Sequence, residues 1–388
     1  MLRSRLFGRR IHISGSISRS LEAAPTAVVE QTRALVTELV GELVRCGATF
    51  VVPVDAEKFR PVDSMPICFD WLIWQAIYAN LGCRPAGAPN PLAIAVQHHK
   101  TEDQIPAEFE GLWDGLRTSD HIHIENVSHW NMNSKRMEAQ ASWGDVLIAV
   151  GGSDGVMYLA NLYHDAGKPV VPLNAGVTSV NTGALRLFSD IGLSSAYAPR
   201  LFRATHRSAH SWVNHINFAE RQSVRERAAA IMELLQALER PRAFAVRLLN
   251  PEHDDFTDVQ SFFEMIVQPV IEDELGYTLT VVDGRQPYEH ARIDQEIFAK
   301  LHRSSVVLAD VTGMRPNCFL ELGYALGREL PTIVTARKGS SLPFDIHTFA
   351  GLLWETNGSE EERRRIFREH WEAVKNRPPL VPAESLVS

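Results

Sequence analysis

The sequence has few cysteines and lacks the marks of membrane-spanning, exported or nucleic-acid-binding proteins. Its four cysteines include no C-x-x-C pair, so neither a zinc knuckle nor a disulfide framework is predicted. No apolar run approaches the ~20 residues of a membrane-spanning helix, and the basic start lacks the apolar stretch of a secretory signal. The formal net charge of −8 argues against an extended nucleic-acid-binding surface. We therefore expect a globular cytoplasmic protein with neither membrane nor nucleic-acid partners.

Metal-binding patterns are also scarce, although several histidines lie close together in the first half. These are His98, His99, His121, His123 and His129. They do not show the i, i+4 spacing of helical zinc ligands, and no cysteine lies nearby in the sequence. His121 and His123 would point to one face of a strand, as polar residues do on any solvated sheet face. We therefore predict no metal site.

Strands and helices alternate along most of the chain, which predicts α/β architecture with parallel sheets. With 388 residues, the chain is long enough for two or three domains with complete cores. Apolar runs of strand length in the first half are residues 11–13, 49–53, 92–96, 121–124, 145–150 and 170–173. Those in the second half are residues 244–249, 278–282, 306–310 and 331–335. Segments with apolar residues at helical spacing separate these runs, so two parallel-sheet domains are expected.

The segment between the two predicted sheets differs in composition from its neighbours. Residues 177–241 are rich in arginine, serine and histidine, and residues 218–240 have the pattern of a charged amphipathic helix. We interpret this segment as a helical connector, which could also form an oligomer contact. The predicted organisation is a first domain over 1–176, the connector over 177–241, and a second domain over 242–388.

Two glycine-rich turns follow predicted strands of the first domain, at Ser14–Ser16 and at Gly151–Gly155. Such turns allow backbone N–H groups to approach a phosphate, and the following helix adds its positive end. Each turn alone is weak evidence, because glycine also simply permits tight turns. Two turns at the carboxyl ends of parallel strands favour nucleotide binding. The candidate ligand-binding residues in them are Gly15, Ser16, Gly151, Gly152, Ser153 and Gly155.

Residues 11–175 resemble the SLOG superfamily, which includes the Lonely-guy phosphoribohydrolases and DprA-type proteins. Lys135–Met137 and Gly151–Gly155 stand where the enzymes have their Arg-Lys and Pro-Gly-Gly-x-Gly-Thr motifs. The resemblance adds Arg136 to the ligand-binding candidates and implies a Rossmann-like fold. This chain lacks the Pro and Thr of the second motif and, at Met157–Leu159, the Glu-bearing segment that follows it. The loss of that carboxylate favours a nucleotide-sensing domain over an active phosphoribohydrolase.

The second half contains a strand, loop and helix that bring two acidic residues to one edge of the predicted sheet. The apolar run Val306–Asp310 predicts a buried strand that ends in Asp310, and a helix restarts near Asn317. Ligands of open α/β sheets bind in the crevice at the carboxyl ends of the strands. Glu321 lies on the first turns of the helix among apolar neighbours, a setting that suits polar chemistry on a ligand. A solvated helix glutamate fits the same spacing.

Residues 242–355 resemble the nucleoside 2-deoxyribosyltransferase-like and TIR-like superfamily, which has a flavodoxin-like fold. The resemblance rests on Asp310–Gly313, Pro316-Asn317 and Glu321–Ala325. Members of that superfamily use a helix-borne glutamate to break the N-glycosidic bond of a nucleoside or of NAD+. The resemblance therefore implies that Glu321 is catalytic and that Asp310 and Asn317 orient the sugar.

A SLOG domain joined to such a domain resembles effectors of antiphage defence, of the Thoeris and cyclic-nucleotide types. The resemblance implies that the first domain binds a nucleotide second messenger, for example a cyclic ADP-ribose isomer. Ligand-dependent homo-oligomerisation would then switch on NAD+ cleavage by the second domain, with NAD+ as substrate and no cofactor. One alternative is a nucleoside or nucleotide N-glycosidase, or a 2-deoxyribosyltransferase, that uses the same Glu321. Another is a non-enzymatic nucleotide-sensing scaffold.

Overall fold

The protein is described by a computed structural model that covers residues 4–98, 102–127, 132–204, 206–282, 293–340 and 351–374. The chain divides into a first unit, Leu6–Glu239, and a second unit, Arg240–Ser388 together with Met1–Arg5. Each unit is built around one sheet in which every strand pairing is parallel. The predicted α/β fold class with two parallel sheets is confirmed.

The sheet of the first unit has the strand order β4-β3-β2-β1-β5-β6. Its strands are β1 (Arg10–Ser16), β2 (Thr49–Pro53), β3 (Ala93–Gln97), β4 (Ile122–Asn126), β5 (Val146–Gly151) and β6 (Val170–Leu173). Four of them are buried along their whole length, which explains their unbroken apolar sequences. Strands β2, β3 and β4 follow one another on one side of β1, and β5 and β6 lie on its other side, as in Rossmann-like sheets. The topological switch point therefore lies between β1 and β5.

The helices of the first unit extend into the segment that was predicted to be a connector. They are α1 (Thr26–Arg45), α2 (Asp70–Ala79), α3 (Glu110–Arg117), α4 (Met132–Trp143), α5 (Asp154–Asp165), α6 (Gly183–Leu193), α7 (Tyr197–Phe202), α8 (His206–Trp212) and α9 (Val224–Leu238). The last of these packs along α1 and contributes buried leucines to the core of the first unit. It begins later than the sequence predicts because Ser223 and Glu226 form a capping box. Helices α6–α9 are therefore part of the first unit.

The sheet of the second unit has the order β11-β10-β9-β7-β8. Its strands are β7 (Arg242–Val246), β8 (Thr278–Thr280), β9 (Val306–Asp310), β10 (Thr332–Arg337) and β11 (Leu352–Trp354). Numbered along the chain within this unit, the order is that of flavodoxin-like sheets, with the switch point between β7 and β9. The central strand β9 is fully buried, as its apolar sequence predicts.

The helices of the second unit are α10 (Phe256–Phe262), α11 (Ile293–His302), α12 (Pro316–Gly327) and α13 (Glu360–Val374). The first of them continues as two π-helical segments, Phe263–Val267 and Pro269–Glu274. Pro269 has no N–H to donate to the carbonyl of Met265. That carbonyl accepts a hydrogen bond from Nε of Arg364 on α13 instead, at 2.7 Å. In the part of the chain that the structure describes, no helix is long and apolar enough to span a bilayer.

Four charged side chains form a largely buried ionic cluster in the first unit, at the start of β1. Asp145 accepts hydrogen bonds from the backbone N–H of Arg10 at 3.0 Å and from its Nη2 at 2.8 Å. Nη1 of Arg9 lies 3.6 Å from Oδ2 of Asp145, and Nη2 of Arg9 forms an ion pair with Glu239, which follows α9. Burial alone would raise the pKa of Asp145, but the two arginines hold it well below its usual range. The cluster therefore links β1, the start of β5 and the end of α9.

Replacing Asp145 by alanine is expected to lower the free energy of unfolding of the first unit by about 3–5 kcal/mol, because two largely buried arginines lose their shared carboxylate. Urea denaturation followed by tryptophan fluorescence measures the change. The matched control is Asp165→Ala, whose side chain is 80% exposed and which should change stability by less than ~0.5 kcal/mol. A loss as small as that of the control would show that the cluster does not stabilise the unit.

Candidate functional site

The two predicted glycine turns lie side by side at the switch point of the first unit. Strands β1 and β5 pair in register, with Gly15 opposite Val150 and Ser16 opposite Gly151. A Cβ atom at Gly15 would overlap the carbonyl oxygen of Val150, so only glycine fits there. Gly152 donates its N–H to the carbonyl of Ser16 at 2.7 Å, which joins the two turns.

The backbone of the second turn is shaped by positive φ angles at Gly151 (+62°) and Gly152 (+82°). Helix α5 starts immediately afterwards, with Ser153 at its N-cap position, where the serine side chain makes no capping hydrogen bond. Ser153 is exposed and Gly155 is partly buried. The first N–H groups of a helix have no intrahelical acceptors, so this turn can present donors to an anion.

A group of charged side chains near the end of β2 combines the predicted residue Arg136 with three carboxylates that the sequence analysis missed. It consists of Asp55, Glu57, Asp70 and Arg136, and is called here the acid–arginine cluster. Nη2 of Arg136 on α4 lies 2.6 Å from Oδ2 of Asp55. Burial, together with neighbouring acidic groups, raises the pKa of both Glu57 and Asp70 to about 7. The cluster can therefore hold or release protons near neutral pH.

Helix α4 connects the acid–arginine cluster to the second glycine turn. Arg136 reaches Asp55, and the next residue, Met137, contacts Gly155 closely enough that a Cβ there would lie 3.3 Å from its Cε. Backbone contacts between Ser16 and Cys68 bring the start of α2, and so Asp70, towards β1. The predicted residue Arg136 is thus close to the predicted turn, with carboxylates that the sequence analysis missed.

The candidate catalytic carboxylate of the second unit is placed as the strand–loop–helix pattern predicts. Glu321 lies on α12, which follows β9 through residues 311–315. Its side chain is partly buried, and this burial raises the pKa of the carboxyl to about 7. Asn317 lies exposed one helical turn earlier, at the i, i+4 spacing that makes the two side chains neighbours.

Asp310 is fully buried, in contrast to the expectation that it orients a sugar. Its Oδ1 accepts a hydrogen bond from the N–H of Thr312 at 3.1 Å. Its Oδ2 accepts from Oγ1 of Thr335 and from Nε1 of Trp354, both at 2.7 Å. With no exposed surface, Asp310 has no access to a ligand. Its place in the fold is to join the loop after β9 to β10 and β11.

The histidines of the first unit are dispersed. His98 is buried after β3. His123 on β4 packs against Trp143, and its Nε2 lies 3.6 Å from Oε2 of Glu125. His99 and His129 lie outside the described residues. Within the described ranges, no group of three or more histidine, cysteine or acidic side chains is placed to hold a metal ion.

A known protein family matches most of the first unit. Residues 6–235, more than half of the chain, match the family model described as "ATP nucleosidase Cap17-like, N-terminal". No curated protein matches the sequence. Among solved structures, the X-ray structure of TM1055, a structural genomics target, shares 15% identity over 47% of this chain and 81% of that chain. Its TM-score is 0.29, a level that carries no structural inference.

Replacing Asp310 by alanine is expected to destabilise the second unit by at least about 2 kcal/mol, because it strands buried donors on Thr335 and Trp354. The free energy of unfolding, measured by urea denaturation, tests this directly. Asp273→Ala is the control, because Asp273 is exposed on the same unit. Unchanged stability would mean that the buried hydrogen bonds do not hold the loop.

Glu321→Gln is expected to change how the stability of the second unit depends on pH. The pKa of this carboxyl is about 7 in the folded chain against an ordinary value of 4.5. Its contribution to stability is therefore fully present below pH 4.5 and is lost as the pH rises through 7. Glutamine does not ionise, so the variant should gain stability relative to the parent over this range. Thermal melting at several pH values measures the gain, and parallel profiles for parent and variant would contradict it.

Proposed function

The chain belongs to the family of Cap17-like ATP nucleosidases, N-terminal type, and from this premise we propose that it cleaves the N-glycosidic bond of ATP. In the reaction, the bond between C1′ and N9 breaks and its electron pair leaves with the base. Water supplies hydroxide to C1′ and a proton to the base. Adenine and ribose 5-triphosphate are then the products.

We assign this step to the second unit, which lies outside the matched residues 6–235, with Glu321 as the catalytic carboxylate. The observation that supports it is the partly buried carboxyl of Glu321, with a pKa of about 7, on the helix after β9. Cleavage passes through an oxocarbenium-like state, and a carboxylate beside the sugar offsets its developing positive charge. A carboxyl with a pKa near neutrality can also accept a proton from the attacking water. Asn317 contacts the sugar, and Asp310 acts indirectly by fixing the loop that begins at Thr312.

The first unit has a sensory role in this proposal. A nucleotide second messenger binds at the paired glycine turns, where the first N–H groups of α5 supply backbone donors. Arg136 adds a positive charge nearby. Binding promotes homo-oligomerisation, which activates the second unit. Depletion of the cellular ATP pool would then serve antiphage defence, in line with the resemblance of the two-domain arrangement to defence effectors.

NAD+ is the second candidate substrate. Its nicotinamide–ribose bond is also N-glycosidic, and it breaks through the same oxocarbenium-like state. The loop and helix from Asp310 to Ala325 resemble those of NAD+-cleaving TIR-like proteins as well as those of deoxyribosyltransferases. The same carboxylate, Glu321, would serve either substrate, so the products decide between them.

Purified protein is expected to release adenine from ATP, and Glu321→Gln should lower the rate at least ~100-fold, the usual contribution of a positioned acid or base. Chromatography of adenine, nicotinamide and ribose phosphates after incubation with ATP, NAD+ or nucleosides identifies the substrate. Each incubation is repeated with cyclic ADP-ribose isomers and cyclic oligonucleotides as activators.

The control variant is Glu329→Gln, because Glu329 is an exposed carboxylate just beyond the same helix. It should release base at the parent rate. Full base release by Glu321→Gln would remove the catalytic role from Glu321. Nicotinamide release without adenine release would favour NAD+ over ATP, and no release under any condition would favour the scaffold.

A further inference from the structure

The loops that follow β7 and β9 meet at His253, at the switch point of the second unit. His253 lies in the loop between β7 and α10, and β7 and β9 are neighbours in the sheet. A Cβ atom on Gly313, in the loop after β9, would lie 2.8 Å from Cε1 and 3.1 Å from Nε2 of His253. The imidazole therefore packs against the backbone of Gly313. Ligands of open α/β sheets bind in the crevice at this point.

Hydrogen bonds fix the ring of His253 and determine which nitrogen carries its proton. Nδ1 accepts a hydrogen bond from the backbone N–H of Asp255 at 3.2 Å, whereas Oδ2 of Asp255 is 3.8 Å away, too far for one. An accepting Nδ1 has no proton, so the proton of the neutral ring is on Nε2. Oδ1 of Asp255 pairs with Nη1 of Arg337 at 2.8 Å, and the N–H of Arg337 donates to Oγ1 of Thr312 at 2.9 Å. The loops after β7, β9 and β10 thus hold the ring together, and its side chain is still 26% exposed.

The carboxylate of Glu321 adjoins the same loop after β9. Helix α12 begins three residues after Gly313. Burial, followed by the negative charges of Glu321 and Asp310, raises the pKa of the Cys318 thiol to about 12. The thiol therefore lies close to both carboxyl groups, which keeps that of Glu321 near the end of β9. His253 and Glu321 are thus on the same edge of the sheet, each beside the residues that follow β9.

The leaving group of the proposed reaction needs a hydrogen-bond donor. Adenine departs with the electron pair of the C1′–N9 bond, so negative charge develops on its ring, where N3 and N7 are acceptors. A donor fixed in advance where charge develops stabilises the transition state. Nicotinamide differs, because it leaves a cationic pyridinium as a neutral molecule. A fixed N–H donor near the catalytic carboxylate therefore suits a purine leaving group.

We propose that Nε2–H of His253 donates a hydrogen bond to N3 or N7 of the adenine that leaves from ATP. As the C1′–N9 bond breaks, this hydrogen bond stabilises the electron pair on the base, while Glu321 offsets the positive charge on the sugar. Water still supplies the proton that the free base takes up, so His253 keeps its own. The inference rests on the function proposed above, and it adds the residue that favours a purine over nicotinamide as the leaving group.

The test compares variants of the full chain in adenine release from ATP, under the activator conditions in which the parent is fastest. His253→Phe keeps a flat ring without a donor. It should lower kcat about 100-fold and change KM less than about threefold, because the hydrogen bond strengthens only in the transition state. His253→Gln restores an N–H near the position of Nε2 and should keep kcat within about tenfold of the parent. Asp254→Asn, at an exposed position in the same loop, is the control and should match the parent.

A second substrate separates the loss of a donor from general damage to the site. The chlorine of 2-chloroadenosine triphosphate withdraws electrons, so its base leaves more easily and depends less on a donor. The ratio of parent to His253→Phe kcat should therefore be at least about threefold smaller with this substrate than with ATP. A distorted site would slow both substrates alike. If thermal melting shows that His253→Phe is poorly folded, His253→Leu replaces it.

The outcomes distinguish this inference from the function on which it rests. A parent-like rate for His253→Phe, together with an inactive Glu321→Gln, would overturn the role of His253 and leave the nucleosidase proposal standing. Equal losses with the two substrates, or a His253→Gln variant as slow as His253→Phe, would also overturn it. No adenine release by the parent under any condition would overturn both proposals.

Discussion

The removal of carboxylates from water is the constraint on which both units depend. A buried carboxylate is unfavourable unless opposite charges or hydrogen bonds compensate it. Asp145 is compensated by Arg9 and Arg10, so it stays ionised and links β1 to the start of β5. Asp310 is compensated by donors on Thr312, Thr335 and Trp354, and burial still raises its pKa. In both cases, a carboxyl group whose burial would oppose folding becomes a point of attachment between strands.

Other carboxylates are desolvated without full compensation, and these lie at the carboxyl edges of the two sheets. Glu321, Glu57 and Asp70 all have pKa values raised to about 7. Such groups cost stability at neutral pH, which is a common property of functional sites. Asp310 and Glu321 lie on consecutive elements, β9 and α12, yet their surroundings differ. Asp310 is enclosed in the core and fixes the loop after β9, whereas Glu321 stays partly exposed on α12.

The sequence was sufficient for features that depend on local patterns. Apolar runs located ten of the eleven strands in the described part of the chain, all but β11, and the strand–loop–helix pattern placed Glu321 on α12. It was insufficient where the outcome depends on contacts between distant segments. The acid–arginine cluster combines residues near 55, 70 and 136, which meet only through strand pairing and the contact between Ser16 and Cys68. The inward orientation of Asp310 likewise depends on Trp354, whose distance along the chain hides the partnership.

The carbonyl of Met265 gives α13 a role beyond packing against the core of the second unit. Pro269 leaves this carbonyl without its usual donor, and Arg364 supplies one from α13. The same helix buries Phe367 and Trp371 against the core of the second unit. Shortened versions of the protein made for crystallisation should therefore retain residues up to 374, because a truncation before Glu360 would uncover both an aromatic surface and a backbone oxygen.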